Sequence, residues 1–297
     1  MEPVQPDRHD LLAVVVNYDA GEALLGCVAS LRQAAVEEIV VVDNASSDGS
    51  LERLAAADRQ VVLVPAGANL GYGRAANLGA GRRSSEYVLV SNPDLVLGED
   101  AVKILLAELD AHPDVAAVGP RILDSAGATY PSARAFPNLR DAIGHAFIGL
   151  FLPLNSFSRR YRLDAADPAE RREVDWLSGA FLMVRRVAFE SVGGFDEGYF
   201  MYVEDLDLCW RLHRAGWLVR YVPDAVVVHS QGLSAARHPA KMLIAHHRST
   251  WRFATRRARG AERALLPIMG AGLMLRLVLA LGRELARQRS QLSKRHE

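Results

Sequence analysis

Glu38–Ser50 reads EIVVVDNASSDGS. Its aliphatic run is unbroken, with no polar residue on alternate positions, so both faces of the strand are buried. The strand, Glu38 to Val42, ends in a polar cluster of Asp43, Asn44, Ser46, Asp48 and Gly49. A helical segment follows from Gly49 to Ala57. The same order recurs on either side. Strands at Leu11–Val16, Val61–Val64, Tyr87–Ser91 and Val115–Val118 alternate with helical segments at about Glu22–Gln33, Gly73–Gly81 and Glu99–Ala111. Continuous apolar strands that alternate with helices predict an α/β fold, a mostly parallel Rossmann-like sheet with helices on both faces.

Sheets of this kind bind ligands at the carboxyl ends of their strands. Four polar groups fall there: Asn17, Tyr18 and Asp19; the Asp43–Gly49 cluster; Asn69, Leu70, Gly71, Tyr72 and Gly73; and Asn92, Pro93 and Asp94. Any one group is ordinary turn chemistry, because Asn, Asp, Gly and Ser dominate turns. Four in succession at one sheet edge point to a site. The loop ANLGYGRAAN, residues 68–77, is not a dinucleotide fingerprint, since its glycines are spaced differently and it follows the third strand.

Beyond Pro120 the pattern loosens, and YPSARAFP and the apolar Ile143–Leu154 read as long loops or a lid. Asp175–Val184 reads as a strand, and Trp217–His229 as another that delivers His229. Between them Gly193–Trp217, GGFDEGYFMYVEDLDLCWRLHRAGW, sets Glu204, Asp205 and Asp207 at a helix start beside Phe195, Tyr199, Phe200 and Tyr202. Acids stabilise the first turn of any helix through its dipole. Carboxylates walled by aromatic rings also suit the removal of a proton from a hydroxyl group, and aromatic rings suit the apolar faces of sugars. Asp94, at the end of a hydrophobic strand, suits a divalent cation shared with a diphosphate, and His229 could add a nitrogen ligand.

Charge divides the chain unevenly. From His238 onward thirteen Lys/Arg face three acids, a net of +10, and the rest of the chain carries the balancing −10. Residues 10–235 are expected to form the catalytic domain and 236–297 a basic, amphipathic helical tail, a membrane-interface or oligomer contact. Its apolar run, Leu265–Leu275, is shorter than the roughly 20 residues that span a bilayer. Lipid is favoured over nucleic acid as its partner because apolar residues interleave with the basic ones. Two cysteines, Cys27 and Cys209, exclude a disulfide scaffold and argue against structural zinc. MEPVQPDRHD lacks a positively charged start followed by an apolar run, so no signal peptide is expected and the catalytic part is assigned to the cytoplasm.

Together VVVNYDAGEALLGCVASL, VVDNASSDGS, ANLGYGRAAN, VSNPD, WLSGAFLMVRR and the Gly193–Trp217 stretch resemble the inverting family 2 glycosyltransferases of the GT-A fold, over about residues 11–235. YPSAR, ED-x-DL and HPAKMLIAHHRST are most similar to the rhamnosyltransferase branch. The resemblance implies a nucleotide-sugar donor held by Asn17, Tyr18, Asp43, Asn44, Asn69, Gly71, Asn77, Asn92 and Asp94. It implies Mg2+ or Mn2+ at Asp94 and His229, although Asn92 stands where the family motif has its first acid. Asp205, with Glu204 beside it, corresponds to the catalytic base. Trp176, Ser178, Gly179 and Tyr202 border the acceptor pocket. The branch implies dTDP-L-rhamnose as donor and a polyprenyl-diphosphate-linked N-acetylglucosamine as acceptor, at the inner face of the cell membrane. Another nucleotide sugar or acceptor within the family, and a non-catalytic scaffold, are the alternatives. A nucleotidyltransferase would share the sheet and the metal carboxylate but gives no reason for the acidic helix start beside aromatics.

Overall fold

The protein is described by a computed structural model covering residues 10–136, 167–230 and 239–293. The apolar Ile143–Leu154 segment lies outside the described residues. Among them the strands are β1 (Leu11–Asn17), β2 (Glu38–Asp43), β3 (Val62–Pro65), β4 (Tyr87–Ser91), β5 (Leu95–Leu97), β6 (Val115–Asp124), β7 (Thr129–Tyr130), β8 (Ala133–Arg134), β9 (Arg172–Glu173), β10 (Trp176–Leu177), β11 (Phe181–Arg185) and β12 (Leu218–His229). The α-helices are α1 (Ala23–Gln33), α2 (Ser50–Ala57), α3 (Tyr72–Ala80), α4 (Ala101–Ala111), α5 (Arg186–Ser191), α6 (Glu204–Arg214), α7 (Pro239–Arg257) and α8 (Leu266–Ser293).

The main sheet runs β3-β2-β1-β4-β11-β6-β12-β5. β3, β2, β1 and β4 pair in parallel, as do β6 and β12. β11 runs antiparallel between β4 and β6 and joins the two parallel parts. Every residue of β1 is buried. Leu12, Val14 and Val16 face a core shared with α3 and α6, while Ala13 and Val15 face one shared with α1 and α4. That two-sided burial is why β1 shows no polar alternation.

Three details differ from the sequence reading. Asp175–Val184 is not one strand: β10 pairs with β8 in a small separate sheet, and the chain turns at Ser178–Ala180 before β11 joins the main one. β5, only three residues long, was not anticipated. It pairs antiparallel with β12, with Leu95 opposite His229. In the tail, Arg276 does not interrupt α8. The stretch Gly260–Arg287 is long and apolar enough to cross a membrane by length and composition, where the sequence reading saw only a short apolar run.

Candidate active site

A cavity of about 420 Å3 opens at the carboxyl ends of β1, β2 and β4. Tyr18, Asn44, Asn69, Asn92 and Asp94 line one side of it, and Trp176, Ser178, Gly179, Tyr202, Glu204, Asp205 and His229 complete it. Segments more than 200 residues apart in sequence thus share one hollow.

Four of the expected donor residues stand behind this wall rather than in it. Asn17 is fully buried, and its amide donates to Asp43 Oδ1 at 2.8 Å, Ser50 Oγ at 2.9 Å and Ser46 Oγ at 3.1 Å. Asp43 also accepts from the Ser46 backbone N–H and hydroxyl. These bonds fix the β1 and β2 loops against each other. Asn77 holds both the N–H and the carbonyl of Phe195, so it anchors the aromatic loop. Gly71 sits at φ 85°, and a Cβ there would come within 2.1 Å of the Phe200 carbonyl oxygen. Only glycine permits that approach of the two loops.

Register explains how Asp94 meets His229. Pairing of Leu95 with His229 sets the preceding residue beside the imidazole, and Asp94 Oδ1 lies 3.0 Å from His229 Nε2. Asn92 Nδ2 is 3.3 Å from the same nitrogen. Two ligands about 2.1 Å from an octahedral cation stand about 3.0 Å apart at adjacent positions. The pair therefore fits a divalent ion. No cluster of three or more metal-ligating His, Cys, Asp or Glu exists among the described residues. The remaining positions suit phosphate oxygens and water, the usual sharing for such cations.

Asp205 lies in the first turn of α6. Its Oδ2 accepts from Gly179 N–H at 2.8 Å and its Oδ1 from Leu206 N–H at 2.8 Å. Burial pushes its pKa up, while these N–H groups and the Arg134 charge oppose the rise. Glu204 is buried, and its Oε2 has no hydrogen-bond partner among the described residues. Burial first, and the Asp205 charge second, push its pKa up strongly. Two adjacent carboxylates in a dry site do not both ionise readily. Asp205, with its two N–H donors, is the better seat for the charge, and Glu204 for the proton.

The loop that delivers this pair is strained. Tyr202 and Val203 have φ of 67° and 71°, a region costly for a β-branched residue. α7 holds it in place. Ser249 Oγ donates to the Met201 carbonyl at 2.9 Å, and Arg252 Nη2 reaches both oxygens of Asp196 at 3.0 Å. The Arg252 guanidinium also covers the Tyr199 ring, and His246 packs edge-on against Tyr202. The first tail helix is thus joined to the loop that carries Tyr202 and leads into Glu204 and Asp205.

Arg134 and His246, to which the sequence alone gives no role, also line the cavity. Arg134 pairs across strands with Trp176, and its guanidinium lies 5.0 Å from that ring's centroid. Its place in YPSAR was visible, but only the β8–β10 pairing shows that it faces Asp205.

The model of the family described as "Glycosyl transferase family 2" matches residues 12–193. The chain belongs to glycosyl transferase family 2. The transferase is 44% identical over 271 residues to an N-acetylglucosaminyl-diphospho-decaprenol L-rhamnosyltransferase of Mycobacterium tuberculosis, covering 86% of this chain and 88% of that protein. It is 30% identical over 173 residues to the rhamnosyltransferase WbbL of Escherichia coli K12, covering 58% of this chain and 62% of that protein. Among solved structures it is similar to the mannosyltransferase PcManGT from Pyrobaculum calidifontis in complex with GDP-Man and Mn2+. There the TM-score is 0.57 and the identity 18%, with 98% of this chain and 83% of that one covered. The GT-A fold expected from the sequence is the fold observed, and the chain is a glycosyltransferase.

Proposed function

We propose that this transferase moves L-rhamnose from dTDP-L-rhamnose to a polyprenyl-diphosphate-linked N-acetylglucosamine, with inversion at the anomeric carbon. The observation that carries the reading is one cavity holding both the Asp94–His229 pair and the Asp205 carboxylate. The 44% identity to an enzyme named for that transfer supports the choice of sugar and acceptor.

Tyr18, Asn44 and Asn69 line the donor side and bind the nucleotide, and Asn17 and Asp43 hold their loops. Asp94 and His229 are the residues that would hold Mg2+ or Mn2+, which when bound would offset charge on the departing diphosphate. Asp205 takes the proton from the acceptor hydroxyl as that oxygen attacks the anomeric carbon. Gly179 N–H and Leu206 N–H keep the Asp205 oxygens in position. Trp176 and Tyr202 supply aromatic surface to the acceptor sugar, and Glu204, protonated, avoids a second negative charge beside the base. Incubating the protein with dTDP-L-rhamnose and UDP-sugars, a short-chain N-acetylglucosaminyl-diphospho-prenol, and either Mg2+ or chelator tests this. Rhamnose transfer lost with chelator is expected, and transfer only from a UDP-sugar would overturn the donor.

We also infer that the tail docks on the inner face of the cell membrane. Ile268, Met274, Leu275, Val278 and Leu285 of α8 are exposed, flanked by arginines, which suits an interfacial helix. A double Met274→Glu, Val278→Glu variant should leave anionic vesicles in a flotation assay. If it instead stays on vesicles while a dimer dissociates, α8 is a contact between copies.

A further inference from the structure

A second hollow, of about 660 Å3, lies between α7 and α8. Tyr202 and His246 line both it and the catalytic cavity, so the two share a wall. On its α8 side Arg276 is half-buried, with no hydrogen bond or ion pair among the described residues. Burial alone pulls its pKa down, with no carboxylate to oppose it. Burying a cation without a partner is costly, so an unpaired one in a hollow points to an anionic ligand. Glu284, the one carboxylate among the described lining residues, adds nothing to that shift.

Arg283 also lines the hollow, two helical turns further along α8 and on the same face. Leu279 lies between the two arginines, and Met242 and Leu243 stand opposite on α7. Two cations beside an aliphatic strip match a molecule with two phosphates joined to a hydrocarbon chain. We propose that this groove binds the diphosphate and first isoprene units of the lipid-linked acceptor, with Arg276 and Arg283 on the phosphates. The attached sugar reaches the catalytic cavity past Tyr202 and His246. The proposal rests on the acceptor assigned above.

Geranylgeranyl diphosphate, titrated into the full-length protein in the presence of chelator, probes the groove apart from the donor's metal pair. Wild-type protein should bind it, and R276Q and R283Q should each weaken binding at least about ten-fold, since each removes a charge-assisted contact. R276K should recover part of the loss. With N-acetylglucosaminyl-diphospho-prenol the same variants should raise the acceptor KM and leave the donor KM unchanged. Arg276 has no polar partner among the described residues, so R276Q should keep the wild-type melting temperature, and the exposed Arg283 gives an independent variant. Unaltered binding by both variants would overturn the proposal. So would loss of phosphatidylglycerol vesicle binding with prenyl-diphosphate binding intact, which would assign the arginines to lipid headgroups. Arginine-dependent binding without sugar transfer by wild-type protein would keep the groove and discard the acceptor sugar.

Discussion

The two walls of the cavity are built in opposite ways. The wall proposed for the donor comes from consecutive strand ends whose buried polar groups are tied together, as Asn17 ties Asp43, Ser46 and Ser50. The wall proposed for catalysis comes from distant segments, carries Glu204 and Asp205 against burial, and is delivered by a loop with two strained residues. Binding a nucleotide needs a rigid, satisfied frame. Taking a proton needs a carboxylate kept basic and aimed, and strain clamped from outside supplies the aim.

The contrast can be broken at either wall, and the largest effect belongs to the catalytic one. D205N keeps the Gly179 hydrogen bond but loses the base, so kcat should fall on the order of 10²- to 10⁴-fold with donor affinity retained. Nucleotide binding by calorimetry beside steady-state rates separates the two quantities. H229A should lower activity and metal affinity together, by on the order of 10- to 100-fold. A metal titration of the rate would show the shift, and an unchanged midpoint would remove His229 from the metal site.

Smaller effects sharpen the comparison. R252A should loosen the clamp on the strained loop and lower kcat by about ten-fold while sparing the donor KM, because slight misplacement of a reacting group is costly. An equal loss in the donor KM would mean that α7 supports the whole cavity. N17A should instead cost about 1–3 kcal/mol of stability, since it removes the buried amide that ties Asp43, Ser46 and Ser50 together. Its melting temperature should drop by several degrees.

Glu204 gives the weakest and most pH-dependent effect. Its pKa is raised on folding, so the folded state favours its protonated form. The stability this contributes is complete below the ordinary carboxylate range and is lost as pH rises through the raised folded value. Wild-type protein should therefore lose melting temperature between pH 4.5 and about 8, and E204Q should lose less. Parallel curves for the two proteins would mean that Glu204 is ionised throughout.

The donor wall was legible because periodicity and turn chemistry are local. Four unbroken aliphatic strands ending in Asn, Asp and Gly announced both the sheet and its ligand edge. Which of those residues face the cavity was not legible, because Asn17 and Asn92 look alike in sequence and differ only in what stands beside them. Pairing across long separations was hidden as well. β5 is too short for periodicity to reveal, yet its register is what brings Asp94 to His229. Arg134 faces Asp205 only through the β8–β10 pairing. The tail's basic charge was plain, but the clamp that α7 makes on Met201 and Asp196 required the fold.

The most direct test is rhamnose transfer to N-acetylglucosaminyl-diphospho-prenol by wild-type and D205N protein, with nucleotide binding measured on both and the product's anomeric configuration read by NMR. The account predicts an α-rhamnoside from the β-linked donor, made by wild-type protein and lost in D205N, with nucleotide binding equal in the two. A D205N protein that turned over at the wild-type rate, or a product that retained the donor's configuration, would contradict it.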